Sequence, residues 1–225
     1  MKNHLHATAV WAVALSGLTA GGAAQAQEVY VGGGLFGVQI GYAHAVSPSF
    51  TLRGDYMTLG SNSKTTNESG TQYQANMKWN RTALLADWFP FESSSFRLTG
   101  GATFNSVAVD LTAGGAGTIV DIAGTKYTLG ANDAFNIKIK MPSTTPYLGL
   151  GWGHKQGSKG WGLHADLGVS IGQFKVTETR TGELANGGAL GVTQDKADAE
   201  MADVRDSVAK VKFLPQVTVG VSYRF

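Results

Sequence analysis

Along most of the chain, apolar and polar residues alternate one by one. Phe36, Val38, Ile40, Tyr42 and Val46 share one face, with Gly37, Gln39, Gly41, Ala43 and Ala45 on the other. Trp161, Leu163, Ala165, Leu167, Val169 and Ile171 alternate with Gly162, His164, Asp166, Gly168 and Ser170. Phe96, Leu98 and Phe104 oppose Arg97, Thr99, Thr103 and Asn105, and Val217, Val219, Val221, Tyr223 and Phe225 oppose Gln216, Thr218, Gly220, Ser222 and Arg224. A period of two is the signature of a strand with one apolar and one polar face. A soluble sandwich would show the same alternation, but three further features select a membrane-spanning barrel. Large aromatics (Trp88, Trp152, Trp161, Tyr223, Phe225) sit near strand ends on the apolar side, as interfacial girdles do. The polar sides are largely small residues and glycine, as the crowded interior of a narrow barrel requires. The last strand carries Val221, Tyr223 and a terminal Phe225, the pattern of an assembly signal read by the barrel-insertion machinery.

Both termini of such barrels lie on the same side of the membrane, so the strand number is even, with short turns on that side and long loops on the other. Short turns are legible at 47–49 (SPS), 91–95 (FESSS) and 154–160 (HKQGSKG). Strands follow at 50–60, 72–89, 96–111, 136–153, 161–178 and 212–225, and the turn at 47–49 demands two more within 28–46. A tight hairpin near Gly34 to Gly37, where glycines permit positive φ, supplies them; a single bent strand over 28–46 is the alternative. The expectation is an all-β, eight-stranded antiparallel transmembrane barrel. Two breaks interrupt the alternation. Tyr73, Ala75, Met77 and Trp79 are out of phase with Thr82, Leu84, Ala86 and Trp88, which predicts a bulge at Asn80–Arg81. Beyond Phe104, Val107, Val109 and Leu111 also change phase, which predicts a part projecting above the membrane.

One segment has a helical period. In 193–213, Ala197, Met201, Val204, Val208 and Val211 recur at intervals of four and three, with Asp195 and Asp198 at the start and Lys210 and Lys212 at the end. This predicts a short amphipathic helix between the last two strands, on the outer side. It either packs on the barrel rim or forms a lid whose Asp195, Asp198, Glu200, Asp203 and Asp206 attract cations.

Composition narrows the compartment. Residues 1–26 read as a secretory leader: a short basic start, an apolar run from Ala7 to Ala20, and Ala24-Gln25-Ala26 before Gln27. The barrel then occupies 27–225. The chain has no cysteine, which excludes disulfides, thiolate metal sites and lipid anchoring at a processed cysteine. With 18 basic and 16 acidic residues it carries too little net charge to suggest a nucleic-acid partner. Secretion without a helical anchor leaves a periplasmic protein, a secreted one or a barrel in a bacterial outer membrane, and the strand pattern selects the last, with outer-membrane lipid as its surrounding partner.

The inward-facing positions give a polar set: Arg53, Asp55, Asp87, Arg97, His164, Asp166 and Arg224. Eight strands leave room for little more than side chains, and buried charges of both signs must pair. The set is therefore either a plug or a narrow path for a zwitterionic or cationic solute, whose ends need partners of opposite sign. His164, Asp166 and Ser170 are the residue types of a hydrolase but have no sequence geometry to recommend them; no catalytic residues and no cofactor are expected. His4, His6, His44 and His154 are scattered, and no metal site is expected.

These segments together resemble the CarO-type outer-membrane proteins of Acinetobacter and relatives. The resemblance runs from FRLTGGATFNSVAVDLT through IVDIAGTKYTLGAN, PYLGLGWG and WGLHADLGVSI to AEMADVRDSVAKVKFLP, of which Ala-Gly-Thr-Lys-Tyr and the Leu-Pro after the helix are the more specific parts. It implies a small eight-stranded, porin-like barrel linked to uptake of small amino acids, basic ones such as ornithine, and carbapenems. It transfers no binding residues.

Overall fold

The computed structural model describes residues 27–68, 71–122, 124–185 and 194–225. The expected leader and its cleavage point lie outside them. The elements are β1 (Gln27–Gly34), β2 (Gly37–Ser47), β3 (Phe50–Glu68), β4 (Thr71–Trp88), β5 (Phe96–Gly114), β6 (Ile119–Ile122) and β7 (Thr125–Thr128). There follow β8 (Ala134–Lys140), β9 (Thr144–Trp152), β10 (Gly160–Ile171), β11 (Lys175–Thr181), a 3₁₀ turn (Gly182–Ala185), α1 (Gln194–Ala209) and β12 (Phe213–Arg224).

Eight of these strands close a ring in the order β1, β2, β3, β4, β5, β9, β10, β12, with β12 pairing back onto β1 and every pair antiparallel. The expected strands at 136–153 and 161–178 are each interrupted once, so that β8 prolongs β9 and β11 prolongs β10 above the ring. The strand expected at 50–60 instead continues to Glu68 and meets Thr71 in a long hairpin with β4.

Residues 28–46 form a hairpin rather than one bent strand. Gly34 faces Gly37 across a turn made by Leu35 and Phe36. Gly37 has φ 103°, and a Cβ there would stand 2.0 Å from the Thr58 carbonyl oxygen. The residue type and the turn therefore require each other. Phe36, read from the sequence as part of a strand face, lies in this turn and stacks on Trp79 with ring centroids 4.1 Å apart.

The outer face is a belt of apolar side chains in contact with the surroundings: Trp161 is 79% exposed and Leu163 75%, with Leu52, Leu84, Leu98, Leu148, Val219 and Tyr223 beside them. On β10 the belt runs from Trp161 to Ile171, a length of roughly 33 Å that a tilt of about 40° reduces to about 25 Å in height, the thickness of a membrane barrel's apolar band. No helix among the described residues is long and apolar enough to cross a membrane.

Above the belt the polarity of the strands inverts. Inward positions run Arg97, Thr99, Thr103, Asn105 and then Val107 and Ala113 on β5; on β4 they run Asp87, Arg81 and then Trp79 and Tyr73. Pairing of β4 with β5 is continuous from Gln74 to Trp88, so no bulge lies at Asn80–Arg81. The register shift is on the neighbouring strand, between Thr58 and Gly60 of β3. The change of apolar phase in the sequence has another cause: within the belt lipid-like surroundings favour apolar residues outside, whereas above it water surrounds the strands and the apolar residues turn in.

That upper part has its own core. Ala113, Val120, Tyr127, Leu129, Phe135, Ile137 and Leu184 pack with Met201 of α1, and Val204 and Val176 lie against them. The helix, expected over 193–213, spans Gln194–Ala209 and uses Met201 and Val204 to seat on this core, while Val211 lies past its end and is exposed. Burial of a side chain such as Met201 contributes roughly 1.5–3 kcal/mol. α1 is therefore a brace on the projecting sheet.

Candidate functional site: the polar lumen

The lumen is built by alternation: the same strands that present Leu52, Leu84, Leu98 and Leu167 outward must present Arg53, Asp87, Arg97 and Asp166 inward. These four meet inside the ring. Arg53 Nε lies 2.6 Å from Asp87 Oδ2, and its Nη2 donates to Asp166 Oδ1 at 3.0 Å. Arg97 Nη1 donates to the same Asp166 oxygen at 2.8 Å and to Thr99 at 3.0 Å, while its Nε donates to the Gly153 carbonyl at 3.2 Å. Thr99 in turn donates to Asp87 at 2.7 Å. Arg53, Asp87 and Arg97 have no exposed side-chain surface.

A second layer adjoins the first. Arg81 Nη2 pairs with Asp55 at 2.6 Å, and its other terminal nitrogen donates to Gln216. Gln216 donates to Ser170 at 2.7 Å, and Ser170 lies 3.2 Å from Thr103. Three guanidinium groups (Arg53, Arg81, Arg97) thus meet three carboxylates (Asp55, Asp87, Asp166), which leaves this buried set neutral, as removal of charge from water requires. Glycines make space for the largest inward rings: a Cβ on Gly41 would lie 2.2 Å from the Tyr30 ring, and one on Gly168 2.2 Å from the Tyr147 hydroxyl. The space left between Gln39, Arg53, Arg81, Tyr147 and Gln216 is about 10 Å³, at the limit for a single water.

A third group closes the turn end of the barrel. Arg224 pairs with Glu28 at 2.6 Å and donates to the Ser158 carbonyl at 3.2 Å, and His154 bonds Glu28 through Nδ1. The rings of Tyr30, His154 and His164 lie against one another, with centroids 4.5 to 5.1 Å apart. His154 belongs to the turn after β9; burial pushes its imidazole below the ordinary 6.5, opposed only in part by the bond to Glu28.

Of the residues expected to share the lumen, Arg53, Asp87, Arg97 and Asp166 form one cluster, Asp55 belongs to the layer beside it, His164 to the ring stack and Arg224 to the closed end. Arg81 was assigned from the sequence to a bulge, and its inward place follows once pairing runs unbroken through it. Glu28 and Tyr30 are legible as the inward half of an alternation with Val29 and Val31, but their partners come from distant turns. The histidines scattered in the sequence do converge in part: ligand atoms of His154, His164 and Asp166 lie within 4.8 Å of one another. Asp166 is already held by two guanidiniums, so a cation there would add net positive charge to a buried set that is otherwise neutral. Ser170 bonds Gln216 and Thr103 rather than a histidine, and both ring nitrogens of His164 lack a hydrogen-bond partner among the described residues, so these side chains make no nucleophile–base relay.

The acidic residues expected at the mouth lie on α1. Asp195, Asp198 and Asp206 are exposed, Asp198 pairs with Arg180 at 3.3 Å, and Arg205 approaches Glu178; the side chains of Glu200 and Asp203 lie outside the described set. Val221, Tyr223 and Phe225 face outward on the closing strand, with Tyr223 edge-on to Trp161 at 5.3 Å and the Phe225 amide donating to the Gln27 carbonyl.

No protein-family model and no curated protein sequence matches the chain. Solved structures do. The crystal structure of Acinetobacter baumannii CarO2 superposes with TM-score 0.55 at 23% identity, covering 89% of this chain and 98% of that one. The fold is the CarO barrel. The crystal structure of Acinetobacter baumannii CarO gives TM-score 0.52 at 21% identity over 88% of this chain and 97% of its own. Both alignments run over nearly the whole of the solved chains.

Proposed function

We propose that the chain is a bacterial outer-membrane barrel that takes up small zwitterionic or cationic solutes, basic amino acids among them, through a lumen that is closed at rest. The observation that supports this reading is the set of alternating buried charges, Arg53, Asp87, Arg97 and Asp166, beneath an outer belt of lipid-facing side chains. The α-ammonium and α-carboxylate of an amino acid can replace one Arg–Asp pair without leaving net charge buried, and the second cation of a basic one needs a further carboxylate from the lumen. A sugar or an apolar solute has no such exchange available.

Purified protein in liposomes tests the reading. Swelling or isotope uptake with ornithine and arginine should exceed that in empty liposomes and exceed that with a neutral sugar of similar size. Replacing Asp195, Asp198, Glu200, Asp203 and Asp206 together by Asn or Gln should lower uptake of the basic solutes modestly, and more at low salt, because exposed charges are screened within about 8 Å at physiological ionic strength. Equal entry of all solutes, or none above empty liposomes, overturns it.

One observation favours a second reading, a non-conducting structural barrel: only about 10 Å³ is free between the central side chains. Absence of both conductance in planar bilayers and uptake in liposomes, with the barrel folded, would establish it.

A further inference from the structure

At the level where strand polarity inverts, the outer face changes from apolar to basic. Lys78 of β4 is level with Ala108 of β5, Ala108 with Lys140 of β8, and Lys140 with Lys175 of β11. Three lysines therefore share one line across four adjacent strands, a width of about 14 Å at the usual strand spacing. Lys212 adjoins the line, since its carbonyl accepts the Gly172 amide at 2.9 Å, three residues before Lys175. All four are exposed, and none has an ion-pair partner among the described residues. Lys138, one step further from the belt, differs: it is paired with Asp110 at 3.0 Å. Phe104, Ile171 and Phe213 mark the edge of the apolar belt just beneath the row.

Like charges directly opposite each other on neighbouring strands destabilise a sheet, yet Lys140 and Lys175 are such a pair, with no carboxylate of the described residues paired to either. We propose that this row binds the phosphate groups of membrane lipids in the leaflet on the loop side, so that phosphorylated headgroups supply the missing counter-charge. The inference rests on the membrane reading above. The row stands at the upper edge of the apolar belt, where a headgroup layer would begin, and its ammonium groups have no ion-pair partner among the described residues. A basic residue near an anionic leaflet strengthens attachment about fivefold.

The test uses protein refolded in maltoside micelles, titrated with a diphosphorylated glycolipid of the lipid A type, and counts bound lipid by native mass spectrometry. Wild type should retain the glycolipid in preference to phosphatidylcholine, with retention falling as salt rises. K78Q/K140Q/K175Q should lose retention on the order of 100-fold, whereas K64Q/K126Q/K159Q, on exposed lysines elsewhere, should keep it. Equal retention by both triple variants overturns the proposal, and so does displacement of the lipid by an equal concentration of inorganic pyrophosphate, which would assign the row to free phosphate. Insertion into plain phosphatidylcholine vesicles, read as heat-modifiable mobility, is scored separately. Failure there sinks the membrane reading, while insertion with unselective lipid retention sinks only the lysine row.

Discussion

Arg97 and Asp166 meet at 2.8 Å inside the barrel, 69 residues apart in the chain. The same Asp166 oxygen also accepts from Arg53 at 3.0 Å, so one carboxylate holds two guanidiniums that have no access to water.

Asp166→Asn should therefore be far more damaging than loss of one hydrogen bond. It leaves two buried cations short of a counter-charge, and removal of one member of a buried pair costs about 3–5 kcal/mol. Thr218→Ala, which removes only a 3.4 Å contact to the other oxygen of Asp166, should cost about 1 kcal/mol or less. Urea unfolding of the lipid-inserted barrel, followed by tryptophan emission, measures both. Similar midpoints for the two variants would show that the cluster is solvated.

Gly41 and Tyr30 should be energetically coupled. The nearest atoms to a Cβ on Gly41 all belong to the Tyr30 ring, at 2.2 to 2.7 Å, and Tyr30 is fully buried. Gly41→Ala should destabilise by about 1–3 kcal/mol through overpacking. In the Tyr30→Ala background the same change should be nearly neutral, a coupling of at least about 1 kcal/mol in a double-mutant cycle. Additive effects would place the ring elsewhere.

Mild acid should weaken the turn end of the barrel. The folded state resists protonation of His154 because burial holds its imidazole below 6.5, whereas the unfolded chain takes up the proton as pH falls through that value. Stability is then full above about pH 6.5 and declines below it. The urea midpoint should fall between about pH 7.5 and 5.5 in wild type, and fall less in His154→Asn. An identical pH dependence in the two proteins would remove His154 as the cause.

Single cysteines report the orientation, since the chain has none of its own. Ser47, Ser94 and Ser158 lie at the turn end with the strand bases, and Ser63 and Gly115 lie on the projecting part. In intact cells a membrane-impermeant thiol reagent should label cysteines at Ser63 and Gly115 and spare those at the other three. Labelling at Ser94 as fast as at Gly115 would invert the orientation.

Period-two alternation marked most of the strands and, within the belt, which face of each looks outward; the even, closed ring needed the aromatic girdles, the small inward residues and the placement of the short turns as well. Trp161 to Ile171 and Val217 to Tyr223 face as their sequence requires, because a side chain's face depends only on its position in the pleat. The Gly34–Gly37 hairpin was legible for the same local reason, since its backbone demands glycine. The amphipathic helix was visible as a period, but the surface it covers was not. Only the tertiary structure decided which inward charges meet: Arg97 pairs with Asp166 rather than Asp55 because strand order and stagger fix their heights, and neither is written in a single strand. The bulge was misplaced for a related reason. A change of apolar phase in sequence has two causes, a register slip or a change of surroundings. Only the unbroken pairing of β4 with β5 excludes a slip there, which leaves a change of surroundings as the reading.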